Sequence, residues 1–292
     1  MIPPAFEYVR ADTVEEAISL LDQHGSDARL LAGGHSLLPL MRLRLAEPRV
    51  LIDIGRIQDL AYARVDGDDL AIGALTTHDT VERSGAVAAA APALRDAVRV
   101  LGDPQVRNRG TFGGELAHAD PAADYGAVVL ALGGRVAVSG RDGLREISID
   151  DWFQGPFTTA IRPGEILLEY RAPAAGHGEG SVYRKFARRA SDYGMVGVAV
   201  RLGVGADGRC TAARIGLTCV SDRPVRARAA EAALVGRIPE GAAVTEAAAL
   251  VMQGVDVADD PFCPADYRTA LAQVETARAI TEAAARARSR AA

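Results

Sequence analysis

The sequence predicts an α+β chain in two parts, a larger nucleotide-binding domain followed by a smaller domain of a sheet and helices. Three observations carry this. Helical and strand periodicities alternate through the first part of the chain. A short run rich in Gly and Pro, residues 172–180, interrupts them. Beyond it, strand-like runs give way to alanine-rich helical segments. The boundary is set near Gly176, giving domains at 1–176 and 177–292, with the first divided at about 1–55 and 56–176.

The elements follow in order. Thr13 and Glu16 form a capping box at the start of a helix whose Val14, Ala17, Ile18 and Leu21 share one face, and Gly25 ends it. Strands are expected at 29–32, 49–54 and 69–74, and helices at 77–83, 92–101 and 125–132. Residues 135–139 and 144–149 read as paired strands across the turn at 140–143, and 165–171 as another strand. After the linker come strands at 181–188, 195–204 and 211–220, then helices at 226–235, 243–252 and 265–288.

Composition narrows the function classes. Apolar residues make up 49% of 292, enough for a sizeable core. A net charge of −5 argues against broad nucleic-acid binding, which needs a basic face. The arginines near the end, Arg278, Arg286, Arg288 and Arg290, read as cations in the last turns of a helix, where its dipole favours them. No signal peptide or membrane span is expected. Cys210, Cys219 and Cys263 lie far apart and match neither zinc nor iron–sulfur spacing, so the chain reads as cytoplasmic, with reduced thiols and no cluster of its own.

Two stretches stand out for chemistry. Residues Ala32, Gly33, Gly34, His35 and Ser36 form one, and Thr111, Phe112, Gly113, Gly114 and Glu115 the other. Each places an adjacent glycine pair beside a small hydroxyl residue. Lacking Cβ atoms, such pairs allow φ > 0 and close backbone approach to a ligand. Their N–H groups can converge in a nest that suits phosphate oxygens. With no Walker sequence present, two such turns predict a pyrophosphate gripped from two sides, and hence a dinucleotide carrier, read as FAD. Asp124 follows a small-residue run and is expected to cap the next helix, to accept from ribose hydroxyls, or both.

Two patterns are set aside. Residues 203–208 match the Rossmann glycine spacing, but a strand-like alternation follows where that motif requires a helix, and Asp207-Gly208 is a hairpin dipeptide. His35 and His118 lie in the two glycine stretches without a metal-ligand spacing around them, and are read as hydrogen-bonding loop residues.

With both glycine stretches and Asp124 in view, the chain resembles the FAD-binding medium subunits of the molybdenum hydroxylases, of the carbon monoxide dehydrogenase and xanthine dehydrogenase type. The resemblance extends through Phe6-Glu7-Tyr8, residues 31–39, Ile72-Gly73-Ala74, residues 106–110, residues 165–168 and residues 183–189. It implies a vanillyl-alcohol-oxidase-type (PCMH-like) FAD-binding domain followed by a small antiparallel sheet with a helical bundle. It implies that residues 32–36 and 111–115 hold the pyrophosphate, that Asp124, Leu167 and Lys185 contact the cofactor, and that Tyr193 lies near the isoalloxazine. Read without it, Leu167 is a strand core residue, Lys185 a solvated strand charge and Tyr193 a packing residue. The sequence departs from the family at Glu115, where Asn is usual, and at Phe112, where an aliphatic residue is usual. An ionised Glu only accepts hydrogen bonds and repels a pyrophosphate, so its side chain must turn away or binding is weakened.

The function this implies is electron transfer. A large molybdopterin-containing subunit oxidises substrate, a small [2Fe-2S] subunit relays electrons to the FAD of this chain, and FAD passes them to an external acceptor, in a dimer of heterotrimers. The alternatives are a stand-alone flavin oxidase or reductase of the same fold, and a non-catalytic flavin-binding assembly module.

Overall fold

A computed structural model describes residues 2–291. Among the described residues, three larger sheets, each with its own helices, are laid along the chain in order, with a two-stranded hairpin inserted within the span of the second. The first is parallel, with strand order β1-β3-β2, from β1 (Glu7–Arg10), β2 (Ala28–Leu31) and β3 (Val50–Asp53). Helix α1 (Val14–His24) connects β1 to β2, and α2 (Leu37–Arg42) precedes β3. Thr13 caps α1 as expected, its hydroxyl accepting from the Glu16 N–H at 3.1 Å. Glu16 reaches back one residue further than the capping box requires, to the Asp12 N–H at 2.8 Å.

The second sheet is antiparallel, with order β4-β5-β10-β6-β7. It opens with the hairpin of β4 (Ala63–Asp66) and β5 (Asp69–Gly73). Six helices follow, α3 (His78–Arg83), α4 (Gly85–Ala90), α5 (Pro92–Val100), α6 (Pro104–Arg109), α7 (Phe112–His118) and α8 (Tyr125–Leu132). β6 (Arg135–Gly140) and β7 (Gly143–Ser148) pair across the predicted turn, where Gly143 takes φ 97. A small hairpin, β8 (Phe153–Gly155) and β9 (Thr158–Thr159), leads into the central strand β10 (Ile166–Pro173).

The third sheet joins β11 (Glu179–Phe186), β12 (Val196–Val204), β13 (Cys210–Thr218) and β14 (Val225–Arg226) in order. The Rossmann-like glycines fall in the β12–β13 hairpin, with Gly208 at φ 77, so that pattern is a turn. Helices α9 (Arg228–Leu234), α10 (Ala242–Ala249) and α11 (Ala265–Ala291) complete the chain.

The third sheet is buried on both faces, which is why β12 reads as a nearly continuous apolar run. Val198, Val200 and Leu202 face the core shared with α11, while Ala199 between them belongs to the core shared with α8. Both helices lie directly on bare backbone. A Cβ on Gly180 would meet the Ala283 carbonyl oxygen at 2.1 Å, and one on Gly216 would meet that of Ala127 at 2.0 Å. Every residue of α8 is buried, as befits a helix held between two sheets. That position decides what surrounds its N-terminus, where the candidate site lies.

Candidate functional site

The first glycine pair sits between β2 and α2. Gly34 takes φ 76, the left-handed backbone expected of it, but Gly33 does not. Among the described residues, no protein group accepts from the main-chain N–H of Gly33, Gly34, His35 or Ser36. His35 and Ser36 are exposed. The loop is a row of main-chain donors left open to an acceptor from outside the chain, which is the property an anion-binding nest requires.

Gly33 owes its identity to its neighbour. A Cβ there would lie 2.1 Å from the Arg109 carbonyl oxygen and 2.9 Å from Gly110 Cα. The first loop therefore rests on the chain leading into the second, and the two stretches converge. His35 is near enough to His78 to weaken its protonation. His78 in turn stands against Gly110, where a Cβ would be 2.6 Å from its Nε2.

The second stretch is not the turn that was expected. Thr111 is the N-cap of α7, and Gly113 and Gly114 lie inside its first turn, neither with positive φ. Their N–H groups are consumed by the protein. Phe112 donates to Thr76 O at 2.8 Å, Gly113 to Ala74 O at 2.9 Å, Gly114 to Thr111 Oγ1 at 3.2 Å and Glu115 to Thr111 O at 3.1 Å. Glycine is needed here for contact: a Cβ on Gly113 would meet Ala74 Cα at 2.6 Å, and one on Gly114 would meet Thr111 Oγ1 at 2.6 Å. Phe112 is fully buried, its ring against Tyr125 and Tyr170 at centroid distances of 4.8 and 5.6 Å.

Glu115 takes the capping role expected of Asp124. Asp124 precedes α8 but makes no side-chain cap bond. Its Oδ1 accepts from the Tyr183 hydroxyl at 2.6 Å, and its Oδ2 pairs with Lys185 Nζ at 3.1 Å. Glu115 turns inward, and its Oε1 accepts from the Tyr125 N–H at 2.9 Å, capping α8 from a different helix. Its other oxygen is 3.7 Å from His78 Nε2. Lys185 is not solvated: its side chain is 5% exposed, and it also donates to Val100 O at 3.3 Å.

The cluster thus holds two buried carboxyls and a single lysine cation, and Asp124 takes that cation. Burial, reinforced by the charge of Asp124, pushes the Glu115 carboxyl up to about 8. Burial likewise pushes His78 down to about 4. These directions favour a protonated Glu115 and a neutral His78. A protonated Glu carries a donor as an Asn does, which lessens the carboxylate repulsion expected of this substitution.

Beside this cluster opens a cavity of about 620 Å³, bordered by Pro121, Ala122, Tyr193, Gly194 and Cys219 among others. Tyr193 is 71% exposed. Although the residue as a whole is exposed, partial desolvation on the cavity side raises its phenol, and the carboxyls of Asp120, Glu115 and Asp124 add to this, which places it within their field. Gly194 backs onto Lys185, whose Cε would be 3.5 Å from a Cβ there. Leu167 is different: the residue is 5% exposed, packed in the core beside a bulge in β10 and paired with Val138, so it offers little surface to a ligand.

Comparison with known proteins shows the family. Residues 4–175 match the family described as the FAD binding domain in molybdopterin dehydrogenase, and residues 181–283 match the CO dehydrogenase flavoprotein C-terminal domain. The chain belongs to the FAD-binding medium subunits of the molybdenum hydroxylases. It is 41% identical to the carbon monoxide dehydrogenase medium chain of Afipia carboxidovorans, over 99% of this chain and 100% of that one. It is 37% identical to the 6-hydroxypseudooxynicotine dehydrogenase complex subunit alpha of Paenarthrobacter nicotinovorans, over 99% and 97% respectively. Among solved structures, carbon monoxide dehydrogenase from Hydrogenophaga pseudoflava superposes with a TM-score of 0.95 at 43% identity, covering 98% of this chain and 99% of that one. Quinoline 2-oxidoreductase from Pseudomonas putida 86 gives 0.92 at 34% identity, covering 98% and 99%.

As a medium subunit of this family, the chain is an oxidoreductase subunit whose cofactor is FAD. The residues fit that group: a row of open N–H donors for a pyrophosphate, and, beside the Asp124–Lys185 pair, a cavity large enough for a ring system. The reading of the sequence missed Tyr183 and His78. Tyr183 was within reach, because it lies two residues before Lys185 on one face of a strand. His78 carried no local signal; its role comes from three separate segments meeting it.

Proposed function

We propose that this chain is the FAD-carrying electron-transfer subunit of a heteromeric molybdenum hydroxylase. It would act with a large molybdopterin-containing subunit and a small [2Fe-2S] subunit, in a dimer of heterotrimers. When bound, FAD supplies the redox chemistry that carries electrons from the clusters to an external acceptor. The observation that supports this most directly is the open row of N–H groups at residues 33–36 lying against residues 109–110.

In this reading, residues 33–36 bind the pyrophosphate, and neutral backbone donors replace a lysine. Charge-assisted hydrogen bonds of this kind contribute roughly 1.5–3 kcal/mol each. Thr111, with Phe112, Gly113, Gly114 and Glu115 behind it, forms the second wall through its hydroxyl and its tight packing. Asp124 keeps free lone pairs for ribose or ribityl hydroxyls, and Lys185 keeps an N–H that its two partners leave unused. A lysine cation beside a flavin ring favours its anionic reduced form. Tyr193 borders the cavity assigned to the ring. Relatives named for carbon monoxide, 6-hydroxypseudooxynicotine and quinoline share this chain's fold. That supports assigning substrate choice to the large subunit.

The test is to titrate the apo chain with FAD and to purify it with its neighbouring gene products. The expected result is a yellow protein that co-purifies with both subunits. A chain that takes up no FAD, or that turns over substrate without partners, would overturn this reading.

A further inference from the structure

The cavity wall is drawn together by a buried arginine that no motif of the sequence singles out. Arg268 lies in the first turns of α11, its side chain 5% exposed. Its Nε donates to Ala258 O at 2.9 Å. One terminal nitrogen donates to Met195 O at 2.7 Å and Cys219 O at 2.5 Å. The other donates to Cys263 O at 3.1 Å and to the Asp260 carboxylate. A guanidinium has five N–H donors in a fixed fork, and here each finds an acceptor.

The acceptors come from separate stretches of chain that meet at the cavity. Met195 precedes β12, Cys219 follows β13, and the other three lie on the loop before α11. Met195, Cys219, Asp260 and Cys263 border the cavity with Tyr193 and Arg268 itself. Cys219 is held at φ 64, a left-handed backbone that a side-chain-bearing residue adopts only when its surroundings impose it. Its carbonyl is one of those fixed by the guanidinium.

We propose that Arg268 is a positioning residue for the flavin ring, fixing the outline of the cavity that receives it. The proposal rests on the reading that the ring occupies this cavity. Lysine would keep the charge but lose the fork, with three donors on a mobile stem against five acceptors on separate segments.

The experiment compares binding of FAD and of ADP, which shares the pyrophosphate but lacks the ring, to the full-length apo chain and to Arg268→Lys. FAD affinity is expected to fall about tenfold or more, the worth of one or two charge-assisted hydrogen bonds, while ADP affinity holds. Equal losses for both ligands, or no loss for either, overturn the proposal. If Arg268→Lys gives no cooperative melt, Asp260→Asn removes one tie at the rim and leaves the guanidinium in place. It should shift the FAD-to-ADP preference in the same direction by less, and an unchanged preference overturns the proposal. A native chain that binds ADP as tightly as FAD refutes the placement of the ring, and this role with it. A native preference for FAD that neither variant changes refutes the role of Arg268 alone.

Discussion

Gly33-Gly34 and Gly113-Gly114 are the same dipeptide put to different physical uses. At the first pair the main-chain N–H groups of residues 33–36 are left without protein acceptors. At the second, every N–H from 112 to 115 is taken by the protein, and the missing Cβ atoms let α7 sit directly on Ala74 and on its own cap. One pair exposes backbone; the other buries it. The lesson is that a glycine pair signals close approach, while what approaches, ligand or protein, is settled by where the hydrogen bonds go.

The largest effect should come from the buried side of this contrast. Lys185→Met leaves Asp124 buried beside Tyr183 with no cation, and breaking such a pair costs roughly 3–5 kcal/mol. Urea melts should show that loss, and Lys185→Met combined with Asp124→Asn should recover much of it. A single variant as stable as the native chain would show that the pair is more solvated than its burial indicates.

The glycines separate the two sites more directly. Gly113→Ala forces α7 away from Ala74, and overpacking of this kind costs about 1–3 kcal/mol. Stability should fall, with a smaller loss of FAD affinity in the folded fraction than at Gly33. Gly33→Ala pushes the open loop off Arg109, so FAD affinity should fall about tenfold or more, with the smaller change in the melt. Isothermal titration beside thermal melts measures both. The same balance of effects in both variants would erase the distinction.

The pH profile follows from Glu115 and His78. A glutamate that holds its proton to about 8 in the fold, against 4.5 ordinarily, makes the folded chain the stronger proton binder between those values. Its stabilisation is full below 4.5 and is lost as pH rises toward 8. His78 works the other way: lowered from 6.5 to about 4, it stabilises above 6.5 and loses that effect as pH falls toward 4. The two slopes oppose each other between 4.5 and 6.5, leaving a decline between 6.5 and 8, limited to roughly 1.4 kcal/mol per pH unit. Glu115→Gln should flatten that decline in denaturant melts at the two ends of the window. Native protein equally stable at both ends would refute a protonated Glu115.

The smallest effect is expected at Gly34→Ala. There φ is 76 and a Cβ meets only leucine side chains, so the cost is of order 1–2 kcal/mol of backbone strain.

Much of the fold was legible because its signals are local. The capped first helix, the hairpin at 140–143 and the decoy glycines at 203–208 were each carried by a few adjacent residues. The site was legible only in part. Ala32 to Ser36 could be located from sequence, but α7 could not, since Phe112-Gly113-Gly114 carries poor helix formers. That helix stands because Thr111 caps it and Ala74 and Thr76 hold its first turn from another element. Asp124 was expected to cap α8 on proximity alone, yet a lysine and a tyrosine from β11 outbid that local bond.

The sequence by itself determined where the backbone is bare, which segments are apolar with a period of two or near four, and to which family the chain belongs. These depend on neighbours along the chain. Only the tertiary structure decided which N–H groups stay open, which carboxyl keeps its proton and which arginine ties the cavity wall. Each of those depends on groups distant in sequence meeting where water is excluded, and there the free energy of a charge or a hydrogen bond is set by its surroundings.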